Sequence, residues 1–148
     1  MNGRFDPRPI AYVTLQFCLA GALVLTVRLE NPGMISSVTA LAGGALSVWS
    51  VAVMRLRRLS VMPDVRSGSQ LVTAPPYNRI RHPMYTGLAL FTLGCSLSPA
   101  SWPKLVAWLS LLIVLQLKSQ WEETSLLAAF PEYAEYQKRT RRFIPFIY

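Results

Sequence analysis

At 148 residues the chain has the length of one domain, and it joins 52% hydrophobic residues and a mean hydropathy of +0.32 to a formal net charge of +8. A soluble domain rarely carries both, whereas a membrane protein does so readily, with apolar and basic residues in separate segments. Two cysteines, Cys18 and Cys95, each inside an apolar run, and one histidine, His82, argue against a disulfide framework or a zinc site, so no metal is expected.

In chain order, residues 1–9 hold Arg4, Asp6 and Arg8, and the apolar run that follows ends in Arg28-Leu29-Glu30 without a small-residue cleavage pattern. A retained anchor is the expectation there, not a cleaved leader. Four apolar runs, at about 10–27, 35–54, 84–98 and 102–118, predict four membrane spans in a single domain over 1–148. The first two have the roughly 20 residues that cross a hydrocarbon core. The last two are short and predict extension into their flanks or a locally thinned bilayer. Ala20-Gly21-Ala22 and Ala42-Gly43-Gly44-Ala45 predict close helix approach.

Charge predicts the orientation. Of the 15 lysines and arginines only Arg28 and Lys104 lie at the ends of the runs that face away from the termini and the middle loop. Both termini and the middle loop are therefore expected on the cytoplasmic side, joined by short outer turns at Asn31-Pro32-Gly33 and Ser98-Pro99-Ala100-Ser101. The fold class expected is an all-α, multi-pass integral membrane protein with a helical cytoplasmic C-terminal segment. Because the basic residues follow topology, nucleic acid is not an expected partner; membrane lipids are.

Two cytoplasmic segments, 63–87 and 119–148, hold nearly all the polar chemistry. Pro75-Pro76 bars helix and predicts an extended or looped 67–80. His82-Pro83 predicts a helix start whose free N–H groups suit an anion. Gly87, one turn on, would leave room for a flat ligand, and Tyr77 and Tyr85 offer aromatic faces or hydroxyls. In the second segment Glu122 and Glu123 are adjacent carboxylates after an apolar helix, costly unless solvated or paired. Tyr133, Tyr136 and Arg139 share a helix face by spacing, and Glu135 and Arg139 stand at i,i+4.

The pattern Leu71-Val72-Thr73…Pro76-Tyr77…Arg81-His82-Pro83-Met84-Tyr85-Thr86-Gly87, then Glu122-Glu123…Phe130…Tyr133…Tyr136…Arg139 and Phe143-Ile144-Pro145, resembles the isoprenylcysteine carboxyl methyltransferase family. The broader set of integral membrane phospholipid methyltransferases is similar too. The resemblance covers roughly 60–147 and implies S-adenosylmethionine as methyl donor, with S-adenosylhomocysteine as product. It implies a cofactor pocket lined by His82, Pro83, Tyr85 and Gly87, with Leu71 and Tyr77 near the adenine. Glu122 or Glu123 would bind the ammonium, and Arg139, with Tyr133 and Tyr136, would face the acceptor. Where the family has Gly-Pro-Tyr this chain has Pro75-Pro76-Tyr77.

The implied activity is methyl transfer to a lipophilic or lipidated acceptor at the cytoplasmic membrane face, a prenylcysteine-type carboxylate being the first expectation. Phospholipid, small thiol or amine acceptors on the same fold are the alternative, and so is a membrane scaffold without chemistry. A carboxylate acceptor needs alignment, which Arg139 supplies; a thiol or amine needs a base, for which His82 or a glutamate is the candidate.

Overall fold

The computed structural model describes residues 7–28, 30, 32–60 and 71–145, and of 55–60 the backbone alone. Arg4, Arg66, Asn31, the stretch 63–70 and the side chains of Arg55, Arg57 and Arg58, which enter the expected topology, lie outside the described residues. Five helices follow in order: α1 (Arg8–Leu25), α2 (Met34–Ser60), α3 (Pro83–Ser96), α4 (Trp102–Ala129) and α5 (Tyr133–Arg139). No strand occurs among the described residues, only isolated bridges.

Prolines open three of the helices. Pro stands at one of the first two positions of α1, α3 and α4, where a missing N–H costs nothing and the fixed φ suits the helix. The expected start at His82-Pro83 is the start of α3. The fourth apolar run, expected to end at 118, continues as helix to Ala129. Residues 119–129 are mostly good helix formers, and neither glycine nor proline interrupts them. At 1.5 Å per residue α4 is about 42 Å long.

α1 and α2 are each long and apolar enough to cross a membrane, with mean hydropathy 1.5 over Arg8–Leu25 and 1.6 over Met34–Met54. Their large apolar side chains point outwards: Phe17, Met34, Ile35, Leu41 and Val48 are exposed, while Gln16, Ser36 and Ser50 are buried. Such a distribution is unfavourable in water and costs nothing against hydrocarbon. α3 is the enclosed helix; none of its residues is exposed.

Small residues set the closest approach. A Cβ on Gly43 would run into the backbone of Phe91, one on Gly87 into Ser47, and one on Gly94 into Ala40 and the Ser36 carbonyl. The Ser36 hydroxyl donates to the Gly94 carbonyl at 2.7 Å across the same contact. Gly43 thus acts as its sequence neighbourhood predicts. Gly21 does not: nothing lies within 4 Å of an added Cβ there, and Ala20 is the residue of that trio packed in the core with Leu23, Tyr85, Leu111 and Leu115.

At the opposite end from α5, Lys104 donates to the carbonyls of Thr26, Ser98 and Pro99 at 2.8, 3.1 and 3.2 Å. It joins the C-terminal end of α1 to the α3–α4 turn, satisfying carbonyls that helix ends leave over.

The glycine contacts make a prediction. Gly43→Leu or Gly94→Leu should destabilise the protein by more than about 1–3 kcal/mol, because backbone, not a movable side chain, fills the space. Gly21→Leu should stay within about 0.5 kcal/mol. Thermal unfolding of the purified variants in detergent measures the difference.

Candidate functional site

The site is assembled where the 71–82 segment, the C-terminal end of α4 and the residues after α5 meet. Pro76 begins a tight turn, its carbonyl accepting from Arg79 and Ile80 N–H at 3.3 Å each. This swings Tyr77 inwards, where its hydroxyl donates to the Ser50 carbonyl at 3.3 Å. The Tyr136 hydroxyl in turn donates to the Tyr77 carbonyl at 2.5 Å. Burial pushes both phenols up to about 12, so they hold their protons, and with them these bonds, throughout the neutral range.

The tail lies alongside the segment before α3. Ile80 and Arg141 form a parallel bridge: Arg141 N–H donates to the Arg79 carbonyl at 3.0 Å, Arg81 N–H to Arg141 at 2.7 Å and His82 N–H to Arg142 at 3.1 Å. The Thr86 hydroxyl adds a bond to the Phe143 carbonyl at 2.8 Å. The N–H of His82, expected to be open to an anion, is thereby taken by the chain itself.

Glu123, 3% exposed, is the centre of this junction. Its Oε1 receives Arg81 Nε at 2.7 Å and lies 3.1 Å from His82 Nε2; its Oε2 receives Arg142 Nη2 at 2.6 Å and Gln137 Nε2 at 3.2 Å. Burial acts to raise its pKa, but hydrogen bonds from His82, Arg142 and Arg81 more than offset this and hold the carboxyl well below the usual carboxylate range. Arg81 also donates to the Thr140 carbonyl at 2.7 Å.

Glu122 points elsewhere. Its carboxylate is half-buried, accepts from the Tyr85 hydroxyl at 2.6 Å, and lies 4.0 Å from Lys118 Nζ and 3.7 Å from His82 Nδ1. The His82 and Tyr85 rings stack with centroids 5.3 Å apart and planes 3° from parallel. Lys118 lies over the other aromatic partner, 4.9 Å from the Tyr85 centroid, and donates to Gln16 of α1 at 2.9 Å.

Of the residues singled out in the sequence, the structure brings together His82, Tyr85, Glu122 and Glu123, with Pro83 fully buried beneath them at the helix start. Leu71 is half-buried. Gly87 is turned to α2, and Ser47 takes the room it leaves. Tyr133 and Tyr136 are buried with ring centroids 5.6 Å apart, whereas Arg139, on the same short helix, is exposed. The tail guanidinium that closes on Glu123 is that of Arg142, to which sequence reasoning gave no role. Arg81, Gln137, Lys118 and Gln16 were missed as well. Arg81 stands inside the Arg-His-Pro motif and could have been found there; Gln16 carries a signal only as a lone amide in an apolar span.

Among the described residues no group of three or more His, Cys, Asp or Glu is placed to hold a metal ion. What the fold and site define is an all-helical protein with membrane-length apolar helices and a charged junction at one end of the bundle. The family model described as phospholipid methyltransferase matches residues 34–132, and the chain belongs to that family. It is 38% identical over 82 residues to the cobalt-zinc-cadmium resistance protein CzcN of Cupriavidus metallidurans, a stretch covering 54% of this chain and 38% of that protein. No solved structure matches the chain.

Glu123→Gln should leave two part-buried guanidinium groups without their counter-charge and cost on the order of 3 kcal/mol, read as a lower melting temperature and faster tryptic cleavage of the tail. Arg139→Gln should change neither. Because the folded pKa of Glu123 lies below its unfolded value of about 4.3, its contribution is complete above that pH and is lost as pH falls through the lowered folded value. The acid limb of the stability profile should therefore be shallower in Glu123→Gln than in the native chain.

Proposed function

We propose that the protein transfers a methyl group from S-adenosylmethionine to a lipophilic acceptor, at the membrane surface where its basic segments gather. Membership of the phospholipid methyltransferase family supports the activity. The observation that carries the site is the division of labour between the two adjacent glutamates. Glu123 is saturated by chain partners, while Glu122 keeps a half-buried carboxylate beside an aromatic face.

The residues present fit that cofactor. When bound, S-adenosylmethionine supplies an electrophilic methyl group on a sulfonium and leaves as S-adenosylhomocysteine. Glu122 would hold its ammonium by a charge-assisted bond. The stacked His82 and Tyr85 and the rigid Pro83 turn would shape the floor of the pocket, and Leu71 and Tyr77 its adenine side. Gly87 and Glu123 would act one step back, the first by admitting α2, the second by holding the tail in place. A water-poor setting at the bilayer edge spares an anionic nucleophile its hydration shell. We read α3 and the first part of α4 as spans beside α1 and α2, with both termini on the cytoplasmic side; α3, shorter than a bilayer core, is enclosed by protein, where irregular ends are tolerated.

For the acceptor, a lipophilic carboxylate of prenylcysteine type needs no base, and the exposed Arg139 would align it. A phospholipid amine is the second reading, favoured by the family's description, and would need a base such as His82. The two give different products: a methyl ester is released as methanol by alkali, an N-methyl group is not.

Folded, detergent-purified protein should be stabilised by S-adenosylhomocysteine, by about 2.7 kcal/mol at 100 times Kd. No thermal shift at millimolar concentration of either cofactor form would remove the methyltransferase reading. Arg139→Lys keeps the charge but loses the planar fork, and should lower kcat/KM with a carboxylate acceptor at least tenfold, about 1.4 kcal/mol, with cofactor affinity near normal. An amine acceptor should be indifferent to that change, so steady-state kinetics on both acceptors, with alkali release of labelled methyl, decides between them.

A further inference from the structure

The geometry points to Lys118 as the residue that receives the α-carboxylate of the methyl donor, making Glu122 and Lys118 a two-sided clamp for its amino-acid zwitterion; this rests on the cofactor reading above.

An α-amino acid carries its ammonium and its carboxylate on one carbon. Groups that receive them must lie side by side and have opposite charge. Glu122 Oε1 and Lys118 Nζ meet that condition at 4.0 Å, one turn apart on α4. The distance is an ion pair without a hydrogen bond. The ammonium has three N–H donors, and Gln16 accepts one of them at 2.9 Å.

The other cations of the site are engaged. Arg81 and Arg142 are bound to Glu123, and His82 faces the same carboxylate with its Nε2. The backbone donors at the start of α3 offer little, because His82 N–H is bonded to Arg142 and proline follows it. A donor's carboxylate that enters beside Glu122 therefore meets Lys118 as its nearest unsaturated cation.

Lys118 is also held for the task. Its side chain is 14% exposed, far less than a solvated surface lysine, and stretches under α1 to a buried glutamine. The Tyr85 face, 4.9 Å from Nζ, favours the cation on one side, and the Tyr85 hydroxyl fixes Glu122 on the other. Gln16, Tyr85 and Glu122 come from three different helices, so the placement depends on the whole bundle.

The test uses two ligands and reads binding, not turnover. S-adenosylmethionine is compared with its decarboxylated analogue, which keeps the sulfonium, the adenosine and an ammonium. Affinities are taken by calorimetry on folded protein in detergent. The native chain should bind the full cofactor at least tenfold more tightly than the analogue. Lys118→Gln should erase that difference, weakening the full cofactor about tenfold without weakening the analogue, and Lys118→Arg should restore most of it. Glu122→Gln should weaken both ligands, since both carry the ammonium. Gln16→Leu, which leaves the lysine in place, should lower affinity for the full cofactor alone, and decides the matter if Lys118→Gln does not fold. Equal effects of the Lys118 variant on both ligands, or none, would overturn the clamp while the cofactor reading stands. Failure of the folded native chain to bind either ligand would overturn both.

Discussion

A carboxylate buried without counter-charge is several kilocalories per mole less stable than one in water, so Glu123 dictates what must surround it. Arg81, His82, Arg142 and Gln137 come from the segment before α3, the tail and α5, and none can be withdrawn without leaving charge exposed to a low dielectric. The parallel pairing of 79–82 with 141–142 is the backbone form of the same requirement. It brings the guanidinium groups of Arg81 and Arg142 to one carboxylate, Arg81 at one oxygen and Arg142 across both. The extension of α4 past its apolar stretch belongs to this arrangement too, because Glu123 must sit beyond that stretch to meet both segments.

The junction is anchored to the membrane part through packing that only small residues allow. Gly43, Gly87 and Gly94 let α2 and α3 touch backbone to backbone, where neighbouring apolar side chains cannot separate from lipid by hydrophobicity alone. With α2 at that distance the Ser50 carbonyl reaches Tyr77, and Tyr77 reaches Tyr136. A series of bonds thus runs from a membrane-length helix through the loop into α5. Loss of a glycine methylene's worth of space would be felt at α5 through these bonds, with no contact between the two places.

The apolar runs that form α1 and α2 and the proline-marked start of α3 were legible because each is written in consecutive residues. So was the pairing of a histidine motif with two carboxylates about 40 residues on. What was not legible depends on long-range register. Arg139 shares a face with Tyr133 and Tyr136 by spacing, yet the tyrosines are buried and the arginine is exposed, because the chain turns after Thr140 and delivers Arg142 instead. Gly87 was assigned ligand space, since a missing side chain says only that something comes close; here that something is Ser47. Lys118 and Gln16 are 102 residues apart, and no local pattern could join them.

Two carboxylates in succession on a helix diverge by about 100°, so one chemistry cannot serve for both. Glu123 faces the tail, where more positive than negative charge is gathered, and it spends its hydrogen-bonding capacity there. Glu122 faces α1 and α3, with one hydroxyl, one ammonium and a stacked ring pair about it. The fixed arginines cannot bind an anion without releasing Glu123, and that release would cost more than a surface contact returns. On the cofactor reading proposed above, an incoming ligand would meet one carboxylate and one ammonium, adjacent and only partly satisfied. A purely anionic or purely cationic group would break the Glu122–Lys118 pair and leave one half-buried charge over. A group carrying both signs on neighbouring atoms would replace the pair with two new ones, and the balance of charge between Glu122 and Lys118 would be kept.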